Sequence, residues 1–233
     1  MNKSTKNCRF HPDDLMLKRV SLGKADITET MIVEAHIHYC KKCYDRYFQF
    51  QENLLNDFKT LGSFETVSPQ LIDDDPILGA INDQLDTQVA NSKLTPASVD
   101  PFYELLPPAL LNSLDEQKDL KWNSFWPSKG KVSLLAEDSA GQYQLFLGVI
   151  DPGATLPGHR HSWNEQTLVL QGQYIASGQV FEAGEWSESR VGDEHSPSAG
   201  KDEHCYCLIR ANKHGFKFTG SSRWRNVLVS IFN

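Results

Sequence analysis

Residues 11–59 repeat their apolar positions with the period of an α-helix. Pro12 suits the first turn of a helix, and Thr28 is a residue type that caps a helix start well. Glycines follow the first and third apolar stretches, where helices commonly end. The pattern predicts three helices, the first from Pro12 to Gly23, the second from Thr28 to about Cys40, and the third from about Tyr44 to Gly62.

A fourth apolar stripe follows a polar stretch over residues 63–75. Its apolar side chains recur every four residues over residues 76–89, which predicts one more amphipathic helix. Such a face either packs on the other three helices or lies in the groove of a partner protein, and the sequence leaves both readings open. The candidate partner-binding residues are Ile77, Ile81, Leu85 and Val89.

From about residue 130 the apolar period changes to that of short strands, with Gly and Pro between them. The stretches are Gln142 to Ile150, residues 166–180, residues 205–210 and residues 225–232. Many short strands with turns at this spacing predict a closed antiparallel barrel or jelly roll. The predicted fold class is therefore α plus β in two domains. A helical bundle over residues 1–90 and a linker over 91–103 precede a β domain over 104–233.

Charge and composition exclude some classes of partner. The 233 residues carry a net charge of −7, which argues against direct binding of nucleic acid, since phosphates need a basic face. No apolar run is long enough for a membrane span, and the N-terminus lacks the apolar core of a secretory signal, so we expect a cytoplasmic protein. The five cysteines are few and odd in number, which favours thiols or metal ligands over disulfides.

The segment from His36 to Cys43 predicts a metal site. His36 and Cys40 lie one helical turn apart, and Cys43 follows at the expected helix end. His11, 25 residues before His36, is the candidate fourth ligand of a closed, structural zinc site. The alternative is a chance CxxC pair with a surface histidine. Cys8 is expected to be a free thiol, with substitution as a ligand or a redox role as the alternative.

The spacing of His11, His36, Cys40 and Cys43 resembles that of the zinc-binding anti-sigma (ZAS) domain, over about residues 8–90. The resemblance implies a small helical domain that holds an extracytoplasmic-function (ECF) sigma factor inactive by covering its polymerase-binding surfaces.

A second set of candidate ligands lies in the strand-rich half. His159 and His161 are two residues apart on an extended chain, so their rings face the same side, and Glu165 follows on the next stretch. Gly153-x5-His159-x-His161-x3-Glu165-x6-Gly172 resembles the first cupin motif. Gly184-x5-Arg190-x-Gly192-x2-His195 resembles the second, with Arg190 where that family usually has proline and no asparagine four residues after His195. These departures put the geometry of the turn in doubt more than the ligand.

Three imidazoles and one carboxylate suit zinc or another divalent transition metal. The alternative is that these histidines are solvated strand residues. Cys205 and Cys207 share one face of a strand, where they are either packing residues or oxidisable thiols beside the cavity.

A ZAS domain followed by a cupin is the arrangement of ChrR-type anti-sigma factors. That resemblance implies a cytoplasmic, non-enzymatic regulator that binds an ECF sigma factor. It also implies release of the sigma factor when the metal-binding cupin senses oxidative stress, such as singlet oxygen or peroxide. The alternative function is a metal-dependent cupin oxygenase or isomerase with a regulatory helical domain.

Overall fold

The computed structural model describes residues 7–61, 105–106, 110–111, 120–124 and 129–220, with backbone only for residues 58–61. The predicted fourth helix with its stripe Ile77, Ile81, Leu85 and Val89, the linker over 91–103 and the strand over 225–232 lie outside the described residues. The division into domains at residues 90 and 104 therefore stays a prediction.

The three described helices are α1 (Asp14–Ser21), α2 (Ile27–Tyr39) and α3 (Lys41–Leu61). The predicted starts of the first two helices are wrong by one or two residues, because aspartates cap these helices. The Asp13 carboxylate accepts the Met16 N–H, and the Asp26 carboxylate accepts the Glu29 N–H. Pro12 thus precedes the first cap, and Thr28 lies inside α2.

Helices α2 and α3 meet at Cys40, which has extended backbone angles (φ −111°, ψ 104°). Its N–H donates to the His36 carbonyl, and its own carbonyl accepts from the Tyr44 N–H, so little of the backbone hydrogen bonding is lost. The third helix accordingly begins at Lys41 rather than Tyr44, and Cys43 lies in its first turn. The prediction that Cys43 ends the second helix is wrong.

Twelve strands are described in the C-terminal part. They are β1 (Asn123–Ser124), β2 (Gly130–Glu137), β3 (Tyr143–Ile150), β4 (His159–His161), β5 (Glu165–Gln171), β6 (Gln173–Ala176), β7 (Gln179–Glu182), β8 (Trp186–Ser189), β9 (Glu194–His195), β10 (Ser198–Ala199), β11 (Cys205–Asn212) and β12 (Phe216–Phe218). The stretch predicted over residues 166–180 is broken by Gly172 and Gly178, both in left-handed conformations (φ +77° and +76°).

The strands pair antiparallel in three sheets. A six-stranded sheet has the order β1-β2-β3-β11-β5-β8, and two three-stranded sheets have the orders β10-β6-β7 and β12-β4-β9. In the large sheet Leu208 of β11 lies between Leu147 of β3 and Leu168 of β5. This cupin-like arrangement confirms the predicted fold class of helices followed by an antiparallel β domain.

Both faces of the large sheet are buried. Leu145, Leu147 and Leu208 share one apolar cluster with Leu17 and Ile32 of the helices. The opposite face contributes to a second cluster inside the β domain, which contains Ile150, Val169, Tyr174, Cys205 and Cys207. Helices α1 and α2 therefore cover the outer face of the sheet, and the inner face is free to hold a polar site.

The strands, α1, α2 and α3 as far as Gln51 belong to one compact unit, whereas α3 from Glu52 onward belongs to another. None of the described helices combines the length and apolar character that crossing a lipid bilayer requires.

Candidate metal centres

The four predicted N-terminal ligands converge. The ligand atoms of His11, His36, Cys40 and Cys43 all lie within 4.8 Å of one another. His11 Nδ1 lies 3.4 Å from the sulfurs of both cysteines. One side of this group is formed by His36 from the last turn of α2, Cys40 from the break between the two helices and Cys43 from the first turn of α3. The segment before α1 supplies His11 from the other side.

The chemistry of this group suits a metal ion. His36 is fully buried, yet within the described structure neither of its ring nitrogens makes a hydrogen bond of good geometry. Buried polar nitrogens are rarely left without a partner. The pKa of Cys40 lies below its usual range because the thiols of Cys43 and then Cys8 lie against its sulfur, while the pKa of Cys43 is raised because it shares a hydrogen bond with Cys40 and is buried. Two thiolates and two imidazoles form the donor set of a structural zinc site.

Cys8 lies beside this group without belonging to it. Its buried thiol donates to the Gly184 carbonyl at 3.2 Å and contacts Cys40, but its sulfur is outside the set of four converging ligand atoms. The structure thus places the fifth sulfur next to the predicted site.

The second group of predicted ligands also converges, on the inner side of the β domain. Ligand atoms of His159, His161, Glu165 and His195 lie within 4.8 Å of one another. His195 Nε2 is 3.0 Å from Nε2 of both His159 and His161. Antiparallel pairing of β4 with β9 sets His159 directly opposite His195. The register of these short strands therefore brings together residues that are 36 positions apart.

Burial keeps the three imidazoles in the neutral form that binds metals. It lowers the pKa of His159, of His161 to about 4 and of His195 to about 3, with the neighbouring histidines contributing to the last two. Burial also raises the pKa of Glu165 to about 7. A cation at the centre of the four groups would favour the ionised carboxylate and offset the free-energy cost of burying its charge.

Hydrogen bonds outside the ligand group fix its geometry. The Pro157 carbonyl lies 3.0 Å from His159 Nδ1, which selects Nε2 as the free nitrogen. The turn before His195 closes without the usual proline, because the Asp193 carboxylate accepts the Arg190 N–H at 2.8 Å and Gly192 adopts φ +92°. The two departures from the cupin pattern therefore leave His195 in place.

Cys205 and Cys207 share one face of β11, as their spacing predicts, and this is the inner face. Their sulfurs are 3.4 Å apart. Both are buried, and Glu165 is close enough to help raise the pKa of Cys207, after Cys205 itself and burial. They pack with Tyr174 and Val169 in the inner apolar cluster. Both interpretations, packing and oxidation, stay open.

Several residues that join the helices to the sheet belong to no sequence pattern that would single them out. Arg210 of β11 is buried and bonds Asp26 and Thr28 of the α2 start, and Trp186 of β8 packs against His36. These residues follow no motif. Only the unusual position of a charged residue in an apolar strand could have drawn attention to Arg210.

Comparison with known proteins agrees with this geometry. Residues 113–214 match the ChrR cupin-like domain family. That region of the chain is thus similar to the ChrR cupin-like domain. Both predicted cupin motifs lie within the matched residues, so the matched region contains the whole second group of ligands.

The similarity extends past that domain. Anti-sigma-E factor ChrR from Cereibacter sphaeroides is 24% identical over 208 residues, which cover 86% of this chain and 88% of that relative. The chain thus resembles ChrR-type anti-sigma factors over most of its length, helices included.

One solved structure shares the fold over most of the chain. A chain of the crystal structure of Rhodobacter sphaeroides SigE in complex with the anti-sigma ChrR superimposes with a TM-score of 0.62 at 22% identity, covering 88% of this chain and 99% of that chain. An RmlC-like cupin protein from Ralstonia eutropha JMP134 matches 53% of this chain and 89% of its own at 16% identity, with a TM-score of only 0.41.

Proposed function

We propose that this chain is an anti-sigma factor that binds and inhibits an ECF-type sigma factor in the cytoplasm. The supporting observation is the convergence of His11, His36, Cys40 and Cys43 at the junction of short helices, in a chain whose residues 113–214 also match the ChrR cupin-like domain family. The similarity to anti-sigma-E factor ChrR over 86% of the chain supports the same assignment.

Zinc is the ion proposed for the N-terminal group. Helices α1 and α2 contain 8 and 13 residues, and such short helices depend on packing or cross-linking for stability. An ion held by His36 of α2 and Cys43 of α3 would fix the angle between the two helices and hence the surface offered to a sigma factor. The stripe Ile77, Ile81, Leu85 and Val89 is the proposed second contact, on sequence grounds alone.

A pulldown of a co-expressed ECF sigma factor tests this proposal. Replacing Cys40 and Cys43 together with serine should abolish both the zinc of the N-terminal group and the binding of the sigma factor. Cys205→Ser, which removes a buried thiol from the β domain, is the matched control and should retain both. Undiminished binding by the Cys40→Ser, Cys43→Ser variant would show that the ion does not organise the sigma-binding surface.

The cupin is proposed to sense the signal, with zinc or another divalent transition metal held by His159, His161, Glu165 and His195. An oxidant of the singlet oxygen or peroxide class would change this centre or a nearby side chain. The change can release the sigma factor only if the two states of the protein bind it with different free energies. We expect His159→Ala to keep inhibition and to blunt release by oxidant. Normal release by that variant would remove the cupin ion from the proposal.

The donor set of the cupin favours one alternative function. Three imidazoles and a carboxylate leave positions open on a six-coordinate ion, as metal-dependent oxygenases and isomerases require. Oxygen uptake by the purified, metal-loaded chain with diketone or flavonol substrates would support the enzymatic alternative. Tight binding of a sigma factor without turnover would support the anti-sigma proposal.

A further inference from the structure

Three consecutive residues of the cupin contact either a ligand of the N-terminal group or the segment that carries His11. The Gly184 carbonyl accepts the Cys8 thiol at 3.2 Å, and the Glu185 carboxylate binds Arg9. Trp186 meets the ring of His36 edge-on, with ring centroids 5.8 Å apart. Both arms of the group, the segment that carries His11 and the helix that carries His36, thus rest on residues 184–186.

Glu185 fixes the arm of His11. Its side chain is only 1% exposed, and its oxygens accept from the Arg9 backbone N–H at 3.1 Å, from Nε at 2.8 Å and from Nη2 at 2.7 Å. The Glu182 N–H donates to the same carboxylate at 2.9 Å. A bidentate guanidinium combined with a backbone N–H holds the chain in one register. Because Arg9 is two residues before His11, this contact sets where the imidazole lies.

Trp186 fixes the other arm. His36 is fully buried, and no good hydrogen bond orients its ring within the described structure, so its orientation depends on packing. The indole of Trp186, itself only 3% exposed, is the aromatic partner that limits rotation of that ring on the cupin side. Packing partners of this kind set the direction of a ligand nitrogen as hydrogen bonds do elsewhere.

We propose that residues 184–186 of the cupin are an outer support of the N-terminal metal centre, so that the cupin determines how fast the N-terminal ion is lost. This inference rests on the proposed ion in that centre and is independent of the sigma factor. It assigns Arg9, Glu185 and Trp186 as positioning residues, since none of them offers a ligand atom to the converging group.

Cobalt substitution measures ion loss from this centre alone, because, of the two ligand groups in the described residues, only the N-terminal one contains cysteines. The full chain is loaded with Co²⁺, and the decay of the sulfur-to-cobalt charge-transfer absorbance is followed after excess chelator is added. Arg9→Ala and Glu185→Gln should each speed the decay by about tenfold, the lower end for residues that orient a ligand. Cobalt loss from the double variant should be no faster than from either single variant, because both substitutions remove the same contact between Arg9 and Glu185.

Glu188→Gln is the matched control, since it removes an exposed carboxylate from β8, the strand that directly follows Glu185, and should leave the rate unchanged. The cobalt held by the cupin supplies a second control: a general loss of stability would speed its release too, whereas the proposed support affects only the sulfur band. The Arg9 side chain is 58% exposed, so Arg9→Ala leaves the apolar core intact. An unchanged decay in Arg9→Ala would overturn this inference. Absence of the sulfur band in the wild type would instead overturn the proposed N-terminal metal centre.

Discussion

Arg210 is the residue whose replacement most directly tests how the helices are held on the sheet. It is 5% exposed, and its guanidinium reaches Asp26 at 2.7 Å, Thr28 at 2.9 Å and Gln166 at 3.1 Å. The same group stacks 3.9 Å from the centre of the Tyr143 ring. One side chain thus joins the N-terminus of α2 to two strands.

Arg210→Met keeps an unbranched apolar stem and removes the charge. Breaking a buried ion pair costs about 3–5 kcal/mol, because the remaining charge loses its partner. The Asp26 side chain is 27% exposed and still caps α2, so water can partly replace the lost partner. We therefore expect the lower end, about 3 kcal/mol of unfolding free energy, and a melting temperature lower by about 6–12 °C for a chain of this size.

Urea unfolding of the metal-loaded protein, followed by far-ultraviolet circular dichroism, measures this change. Lys41→Met, which breaks the exposed pair with Asp45, is the control and should shift stability by less than about 0.5 kcal/mol. Burial opposes ionisation of Asp26, but Thr28, the Glu29 N–H and Arg210 outweigh it and lower the pKa. The advantage of the wild type should therefore be full above the ordinary carboxyl pKa of 3.8 and shrink as the pH falls below it. Equal stability of Arg210→Met and the wild type at pH 7 would refute the reasoning.

Three further predictions concern the support and the ions. Burial opposes ionisation of Glu185, but hydrogen bonds from Arg9 and the Glu182 N–H outweigh it and lower the pKa to about 2. The difference in unfolding free energy between wild type and Glu185→Gln should therefore be full above pH 4.5 and close as the pH approaches 2, measured by acid titration. Gly184→Ala should lower the unfolding free energy by at least about 2 kcal/mol, because its Cβ would lie 2.8 Å from that of Tyr39; Gly178→Ala, with a similar positive φ and open space, should lose only about 1 kcal/mol in the same urea assay. Chelation should lower stability in calorimetry, by about 2.7 kcal/mol for an ion present at 100 times its dissociation constant.

The ligand groups could be predicted because their spacing is local. His159 and His161 are two residues apart on a strand, and His36 and Cys40 are one helical turn apart, so the backbone period alone places each pair on one side. Contacts between distant parts of the chain then bring in His195 and His11. For His195, the resemblance to the cupin motif predicted the ligand, and the pairing of β4 with β9 is what places it opposite His159.

Helix boundaries could not be predicted to the residue, for a reason visible at α2. Asp26 and Thr28 are both good caps, and the sequence does not say which one will be used. The structure uses Asp26, whose carboxylate also pairs with Arg210 across 184 positions of sequence. The contact between Arg210 and Asp26 favours Asp26 as the cap, and neither the helical period nor the composition of the sequence predicts such a distant contact.

The docking of the helices on the cupin was missed for the same reason. Polar residues in strands, such as Gln166 and Arg210, resemble surface positions when the sequence is read alone, yet both are buried beneath α2. Their pairing shows that the outer face of the large sheet is an internal interface.

That interface bears on how a signal at the cupin could reach the helices. Strand β8 begins with Trp186, which packs on His36, and it pairs with β5 so that Ser189 lies opposite Glu165. A single strand therefore lies against both ligand groups, and no movement of the chain outside the sheet is needed to connect them. If the two centres influence each other, the effect on their ion affinities must be reciprocal. When a change in the cupin ion lowers the affinity of the N-terminal group for its ion, removal of the N-terminal ion must also change the affinity of the cupin for its own ion. Measuring both directions in the wild type separates two connected centres from two centres that respond independently.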